Sequence, residues 1–255
     1  MKNYFNYDVL PNEIRKFIEN QRLEEVSIGE SLSQVLYIPN KNAYLKISPN
    51  IISFTPENEY KIYNWLKGKL PVPEVLIYRK TNKFHYMVLS EVKGEDISEA
   101  IELDDNERVK LFARGLRMIH DIDISDCPIE YSTDSVISKI KYCLYNDIYG
   151  ARVNIERTFE KLEEYRKNAP TYEPVLIHGD YAMVNVLAKD NKISGFIDMG
   201  EAGIYCKYRD IVHAVDNLGY WGYGHQDYIE LFFKEYGLSE PDQEMLRYFE
   251  ELDYD

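Results

Sequence analysis

The chain has 255 residues, 45% of them hydrophobic, which is enough to bury a core and argues against a disordered protein. Its formal net charge of −14 argues against nucleic-acid binding, because such proteins present clustered lysines and arginines to the phosphates. An acidic surface instead attracts cationic small molecules, or it serves only solubility. Because the sequence has neither a membrane-spanning apolar run nor a secretory signal, we expect a cytoplasmic protein without membrane contact.

The first third of the chain predicts strands around one main helix. Residues 11–22 predict a short helix, with Ile14, Phe17 and Ile18 at helical spacing. Thr55 followed by Pro56 predicts the start of the main helix, which ends at Gly68. Strand-like runs cover residues 24–38, 43–48, 72–79 and 84–92. We therefore expect an N-terminal lobe over residues 1–92, with a hinge at its end.

After residue 92 the pattern changes to long helices. Residues 106–122 carry one apolar stripe, formed by Val109, Phe112, Leu116 and Ile119. Further helical patterns cover 135–148, 155–168 and the C-terminal part of the chain, and two strand-like runs cover 173–180 and 193–200. The fold class predicted is α+β, with a small β-rich lobe and a larger, mostly helical lobe over residues 93–255. A cleft between two such lobes is a natural place for a ligand.

Polar residues lie at the ends of the two strand-like runs of the second lobe. In protein kinases, the aspartate that orients the substrate hydroxyl is followed five residues later by an asparagine that holds magnesium, and an aspartate before a glycine also holds magnesium. Asp180 and Asn185 have that separation, and Asp198 stands two residues before Gly200. Oxygen ligands of this kind hold Mg²⁺ against phosphates. The spacing predicts a phosphoryl-transfer site.

A lysine and a glutamate in the first lobe complete this pattern. Lys46 alternates with apolar residues on a predicted strand, and Glu59 lies on the helix that follows, as do the residues that grip the α- and β-phosphates in kinases. The match to a glycine-rich loop is weak, because "SIGESLSQV" contains only Gly29. No P-loop motif occurs either. Each residue alone is compatible with an ordinary turn, strand or helix position, but their common order favours one site.

Three motifs carry a resemblance to a known family. "HGDYAMVNVL", "ISGFIDMGEAG" and "YRDIVHAV" resemble the H-G-D-x-x-x-x-N and I-D-x-G signatures of aminoglycoside phosphotransferases, antibiotic-resistance kinases with the protein-kinase-like fold. "YLKI", "WLKGKLPVPEVL", "VLSEVKG" and "IHDIDISDCP" are similar to the aminoglycoside 3′-phosphotransferases, especially those of Gram-positive bacteria. The resemblance covers nearly the whole chain. It implies ATP or GTP and Mg²⁺ as cofactors and a cationic aminoglycoside as the small-molecule substrate.

The resemblance also implies roles for individual residues. Asp180 is expected to be the catalytic aspartate, Asn185 and Asp198 the magnesium ligands, and Lys46 with Glu59 the phosphate-gripping pair. The nucleotide-binding residues it implies are the backbone of Ser90 and Val92 at the hinge, Tyr44 stacking on the adenine, and a loop over the phosphates that contains Ser27, Gly29 and Ser31. A structural role is implied for Asp210 at a helix start.

The substrate-binding residues are less strongly indicated. Glu201 stands where close relatives often carry arginine, and the segment before the H-G-D motif is shorter and less acidic than in the 3′ enzymes. In related enzymes the C-terminus lines the drug site, so the acidic end of this chain supplies candidate ligands: Glu251, Asp253 and Asp255. The alternative is a solvated acidic tail.

We therefore expect a kinase that phosphorylates an aminoglycoside, most specifically its 3′-hydroxyl, and thereby confers resistance. One alternative is a kinase of the same fold for another alcohol, such as a macrolide, choline or a sugar-like metabolite. A second is a non-catalytic nucleotide-binding relative. The oligomeric state is not predicted, and four histidines without metal-ligand spacing are interpreted as packing or surface residues: His85, His120, His213 and His225.

Overall fold

Five antiparallel strands form the sheet of the N-terminal lobe in the computed structural model, which describes residues 4–19, 21–26, 32–51, 56–146 and 155–252. The strands are β1 (Glu24–Val26), β2 (Gln34–Ile38), β3 (Ala43–Pro49), β4 (Val75–Lys80) and β5 (Phe84–Ser90). Their order across the sheet is β1-β2-β3-β5-β4, which puts β3 at the centre. The predicted strands at 43–48, 72–79 and 84–92 match β3, β4 and β5.

The alternation of side chains along β3 gives this sheet two different faces. Leu45 and Ile47 are fully buried on one face, in the same apolar cluster as the inner residues of helix α1 (Asn12–Ile18). Lys46 points to the opposite face, which helix α2 (Pro56–Leu66) covers. The sheet therefore uses one face for a small core and the other for a charged residue.

Helix α1 is shorter than its prediction. It ends at Ile18 rather than at residue 22, because Glu19 adopts a left-handed conformation with φ of 44° and closes the helix with its amide on the Arg15 carbonyl. Periodicity alone does not reveal such a stop, because residues 19–22 are all polar and carry no periodic signal.

The second lobe is mostly helical. Its helices are α3 (Asp105–His120), α4 (Thr133–Tyr145), α5 (Ile155–Lys167), α6 (Lys207–Tyr220), α7 (Gln226–Tyr236) and α8 (Gln243–Leu252). Its short strands are β6 (Glu95–Asp96), β7 (Pro174–Ile177), β8 (Val186–Lys189), β9 (Lys192–Phe196) and β10 (Gly203–Cys206), paired as β10-β7 and β6-β8-β9. The predicted stripe on α3 is confirmed, because all four of its apolar side chains have no exposed surface. The α+β fold with two lobes is confirmed as well.

Helix α2 packs into both lobes. Its Ile62, Tyr63 and Leu66 belong to the same apolar cluster as the core of the helical lobe. Just beyond the helix, the Pro71 carbonyl accepts a hydrogen bond of 2.9 Å from the Phe196 amide of β9. The helix that follows β3 is thus held against the second lobe. Within the described residues, no helix is both long and apolar enough to span a membrane.

Candidate active site

Lys46 links three elements through its ammonium group. Its Nζ lies 2.9 Å from Oε1 of Glu59 on α2 and 2.7 Å from Oδ1 of Asp198, which follows β9. The side chains of Lys46 and Glu59 are 8% and 3% exposed, whereas that of Asp198 is 39% exposed. The accessible end of this charged group is therefore the Asp198 carboxylate.

The charges at this site depend on one another. Burial lowers the pKa of the Lys46 ammonium, but the Asp198 and Glu59 carboxylates outweigh burial and hold that pKa above its ordinary value. The positive charge of Lys46 in turn holds the pKa of Asp198 below its ordinary value, against the opposing effect of burial. For Glu59, burial is the stronger effect and raises the pKa. At neutral pH, Lys46 is therefore charged and Asp198 ionised.

The loop after β7 brings Asp180 and Asn185 together. The Asn185 Nδ2 donates to the Asp180 backbone oxygen at 2.9 Å and to its Oδ2 at 3.3 Å, while the Asp180 side chain remains 46% exposed. The Ile197 amide donates to the Asn185 carbonyl at 3.0 Å, which sets the next residue, Asp198, beside this loop. The structure thus gathers the residues that the spacing predicts as one site.

Asp210 supports the start of this loop from the first turn of α6. Its fully buried carboxylate accepts hydrogen bonds from the amides of His178 at 2.6 Å and Gly179 at 2.8 Å, and it lies 3.2 Å from Nε2 of His120. The Nδ1 of His120 lies 2.8 Å from the Tyr236 hydroxyl. These contacts agree with the structural role expected of Asp210 and with the packing role expected of His120.

Two more residues of α6 contact the loop: His213, which the sequence predicts to be a packing or surface residue, and Asn217, for which it predicts no role. The Nδ1 of His213 donates to the Tyr181 carbonyl at 3.1 Å, and the Oδ1 of Asn217 accepts from the Met183 amide at 2.9 Å. The Nε2 of His213 also lies 3.4 Å from Oδ1 of Asp180. The available signal was the spacing from Asp210, because residues three and seven positions later lie on the same helix face.

The structure describes some of the residues expected to bind the nucleotide and leaves others outside the described ranges. Ser27, Gly29 and Ser31 lie outside the described residues. The Ser90 amide donates to the Glu74 carbonyl at 2.9 Å. A backbone hydrogen bond from Ser90 to a ligand would therefore use its carbonyl oxygen. Val92 packs closely against β9, and the Tyr44 ring lies 4.9 Å from that of Tyr37.

The residues expected to bind the substrate are only partly described. Glu251 on α8 accepts a hydrogen bond of 2.8 Å from the Tyr165 hydroxyl of α5, beside a cavity of about 320 Å³ between these helices. Asp253 and Asp255 lie outside the described residues. Glu201 forms an ion pair with Lys139 of α4, which accounts for an acidic residue at this position.

The donor atoms at Asn185 and Asp198 fit a magnesium ion. Asn185 uses its Nδ2 on Asp180, so its amide oxygen is the atom left for a metal, and Asp198 uses only Oδ1 on Lys46. In the described part of the chain, no cluster of three or more His, Cys, Asp or Glu residues could hold a metal. Two protein oxygens completed by phosphates and water are the usual ligand set for Mg²⁺.

The fold has two lobes, and a strand lysine paired to a helix glutamate lies next to a loop with an aspartate and an asparagine. This combination defines a phosphotransferase of the protein-kinase-like class. The chain belongs to the phosphotransferase enzyme family (APH), whose model matches residues 54–244. It is 35% identical to an aminoglycoside 3′-phosphotransferase of Enterococcus faecalis, over 94% of this chain and 96% of the relative. It is 34% identical to one of Staphylococcus aureus, with the same coverage.

Solved structures show the same fold. Aminoglycoside phosphotransferase APH(3″)-Id from Streptomyces rimosus superposes with a TM-score of 0.77 at 21% identity, covering 94% of each chain. An aminoglycoside-3′-phosphotransferase of type VIII superposes with a TM-score of 0.76 at 20% identity, covering 94% of this chain and 96% of that one. The two-lobed architecture is therefore that of aminoglycoside phosphotransferases.

Proposed function

We propose that this protein transfers the γ-phosphoryl group of ATP or GTP to the 3′-hydroxyl of an aminoglycoside antibiotic and thereby confers resistance. The observation that carries the proposal is the juxtaposition of the Lys46–Glu59–Asp198 ion pairs with the Asp180–Asn185 pair. The substrate class is supported by the 3′-phosphotransferase relatives that match nearly the full length of the chain. The residues before 93 form the nucleotide-binding lobe and hinge, and residues 93–255 form the catalytic and substrate-binding lobe.

Each residue of the site has one task in this reaction. Lys46, held by Glu59, binds the α- and β-phosphates as a compact charge. Asn185 and Asp198 would hold Mg²⁺, which would supply positive charge against the phosphates. Asp180 accepts the hydrogen bond of the substrate hydroxyl and orients its oxygen in line with the γ-phosphorus. Catalysis therefore consists mainly of positioning and charge stabilisation.

Further residues are assigned in this proposal to the nucleotide base and to the drug. The adenine or guanine contacts the Ser90 carbonyl and the Val92 backbone and stacks on Tyr44, and the loop with Ser27, Gly29 and Ser31 covers the phosphates. The drug ammonium groups pair with carboxylates near the C-terminus, to which Glu251, Asp253 and Asp255 contribute. Each charge-assisted contact of this kind contributes about 1.5–3 kcal/mol when it is shielded from water.

The Asp180→Asn variant tests the central role in this proposal. The amide keeps the size of the side chain but lacks the charge that attracts the hydroxyl proton, so we expect kcat to fall at least about 10²-fold. Nucleotide affinity is expected to stay within about twofold, because Asp180 does not contact the phosphates in this proposal. The measurement is ADP release with kanamycin, ATP and Mg²⁺, together with calorimetric titration of ATP. Wild-type turnover by the variant would show that Asp180 is not the catalytic aspartate.

A further inference from the structure

His213 faces the carboxylate of the proposed catalytic aspartate. Its Nε2 lies 3.4 Å from Oδ1 of Asp180, while the Asn185 amide contacts the other carboxylate oxygen, Oδ2, at 3.3 Å. The two oxygens of Asp180 are thus approached from two different elements, α6 and the end of the loop itself. The His213 side chain is 21% exposed, so this contact is partly shielded from water.

The second ring nitrogen of His213 fixes the orientation of the imidazole. The Tyr181 carbonyl oxygen can only accept a hydrogen bond, so the Nδ1 that lies 3.1 Å from it must carry a proton. A hydrogen bond to a backbone carbonyl holds a histidine ring in one plane and leaves its other nitrogen for function. The ring is therefore anchored by the loop that carries Asp180.

The anchoring helix is itself well fixed. Asp210 and Asn217 hold the amides of residues 178, 179 and 183, one turn before and one turn after His213. The helix face that presents His213 therefore contacts the loop at three successive positions. A side chain on so rigid a support is suited to hold a reacting group within a fraction of an ångström.

We propose that His213 is a positioning residue that donates from Nε2 to Oδ1 of Asp180 and holds this carboxylate toward the substrate hydroxyl. This inference rests on the proposed function, because it assigns Asp180 its catalytic role. With Nδ1 on the Tyr181 carbonyl, a hydrogen bond from Nε2 to Asp180 requires both ring nitrogens to donate. The carboxylate then has one orientation instead of several, and its position no longer depends on the arriving substrate.

Two substitutions separate the two contacts of the ring. In His213→Gln, the side-chain amide reaches the region of Nε2 and can donate to Asp180, but the bond to the Tyr181 carbonyl is lost. In His213→Asn, the shorter amide reaches the region of Nδ1 and keeps the Tyr181 bond, but nothing faces Asp180. The matched control is His225→Gln, because His225 is exposed at the start of α7.

If His213 positions Asp180, His213→Asn lowers kcat about 10- to 100-fold with the KM for ATP unchanged. His213→Gln then retains kcat within about threefold, and the His225→Gln control matches the wild type. The reverse order, with Asn active and Gln impaired, would mean that the ring only supports the loop, and equal activity of all variants would remove His213 from the reaction. Either result overturns the proposal.

The protonation state of the ring gives a test that needs no substrate. We expect ¹⁵N-histidine NMR of the wild-type enzyme, with the His213 signal assigned by its loss in His213→Asn, to show both ring nitrogens protonated at the pH of the assay. A bare Nε2 would overturn the proposal. If the wild type phosphorylates no aminoglycoside, the proposed function fails, but the NMR result still decides whether His213 donates to Asp180.

Discussion

Asp210 combines complete burial with a negative charge, and its neighbours explain why this is tolerated. Burial alone would raise the pKa of its carboxyl group, but the hydrogen bond and charge of His120, the charge of His178 and the His178 amide outweigh burial and lower the pKa below its ordinary value of 3.8. A carboxyl group whose pKa is lower in the folded state stabilises the fold above the unfolded-state pKa. This stabilisation is lost as pH falls through the folded-state value.

The Asp210→Asn variant is therefore expected to lose stability most at neutral pH. Removing the charge weakens three contacts of a buried group, for which the expected loss is about 2–4 kcal/mol in the free energy of unfolding. Because the wild type itself loses this contribution in acid, the difference between the two proteins should shrink below about pH 4. Urea unfolding of both proteins at pH 7, 5 and 3.5 measures this difference in the free energy of unfolding. A difference that stays constant across these pH values would contradict the lowered pKa.

The sequence was sufficient to predict which residues the structure gathers at the proposed site, but not the residues that support them. Asp180 and Asn185 have a fixed spacing within one loop, and Lys46 stands out as a charge on an apolar strand. The spacing of His213 and Asn217 from Asp210 indicates a shared helix face, but it does not indicate that this face of α6 packs against the loop. Such contacts depend on tertiary packing rather than on local pattern.

At the scale of elements, the turn between β7 and the loop that carries Asp180 requires a glycine. Gly179 has a φ of +84°, and a Cβ at this position would lie 2.6 Å from the Cβ and 2.8 Å from the carbonyl carbon of Glu201. Gly222, after α6, has a similar φ of +87° but no atom within 4 Å of an added Cβ. Substitutions at these two glycines therefore distinguish the effect of backbone strain from that of a steric clash.

We expect Gly179→Ala to reduce both stability and activity, and Gly222→Ala to reduce stability only. The strain of a non-glycine residue in this conformation costs about 1–3 kcal/mol, and both variants should show it in thermal unfolding. Only Gly179→Ala should also displace Asp180, which we expect to lower kcat at least about 10-fold. Equal kcat values in the two variants would show that the loop tolerates a side chain beside Glu201.

The elements themselves followed from hydrophobic periodicity with small errors at their ends. The stripe on α3 was predicted because its apolar residues face one core, and β3 because its residues alternate between two faces. The predicted end of α1 at residue 22 was wrong, because a left-handed Glu19 stops the helix after Ile18 and the polar residues that follow carry no periodic signal. Helix ends depend on backbone conformations that side-chain periodicity does not encode.

At the scale of the whole molecule, the two-lobed plan was predictable, but the attachment of α2 was not. The change from strands to helices along the chain indicated the two lobes, and the superposition on a solved aminoglycoside phosphotransferase over 94% of this chain agrees with this fold. Chain order assigned α2 to the first lobe, whereas its Ile62, Tyr63 and Leu66 complete the core of the second. Glu59 is therefore held by the second lobe while it binds Lys46 of the first.

The net charge of −14 is a property of the whole surface, and it suits a polycationic substrate without identifying one. The identity of the acceptor hydroxyl is therefore the central claim to be tested. The measurement is ADP release by the purified protein with ATP and Mg²⁺, using kanamycin, neomycin, an aminoglycoside that lacks the 3′-hydroxyl, a macrolide and choline as acceptors. We predict turnover with kanamycin and neomycin that disappears when the 3′-hydroxyl is missing. Turnover with the 3′-deoxy drug would contradict the assigned hydroxyl, and turnover confined to the macrolide or choline would contradict the assigned substrate class.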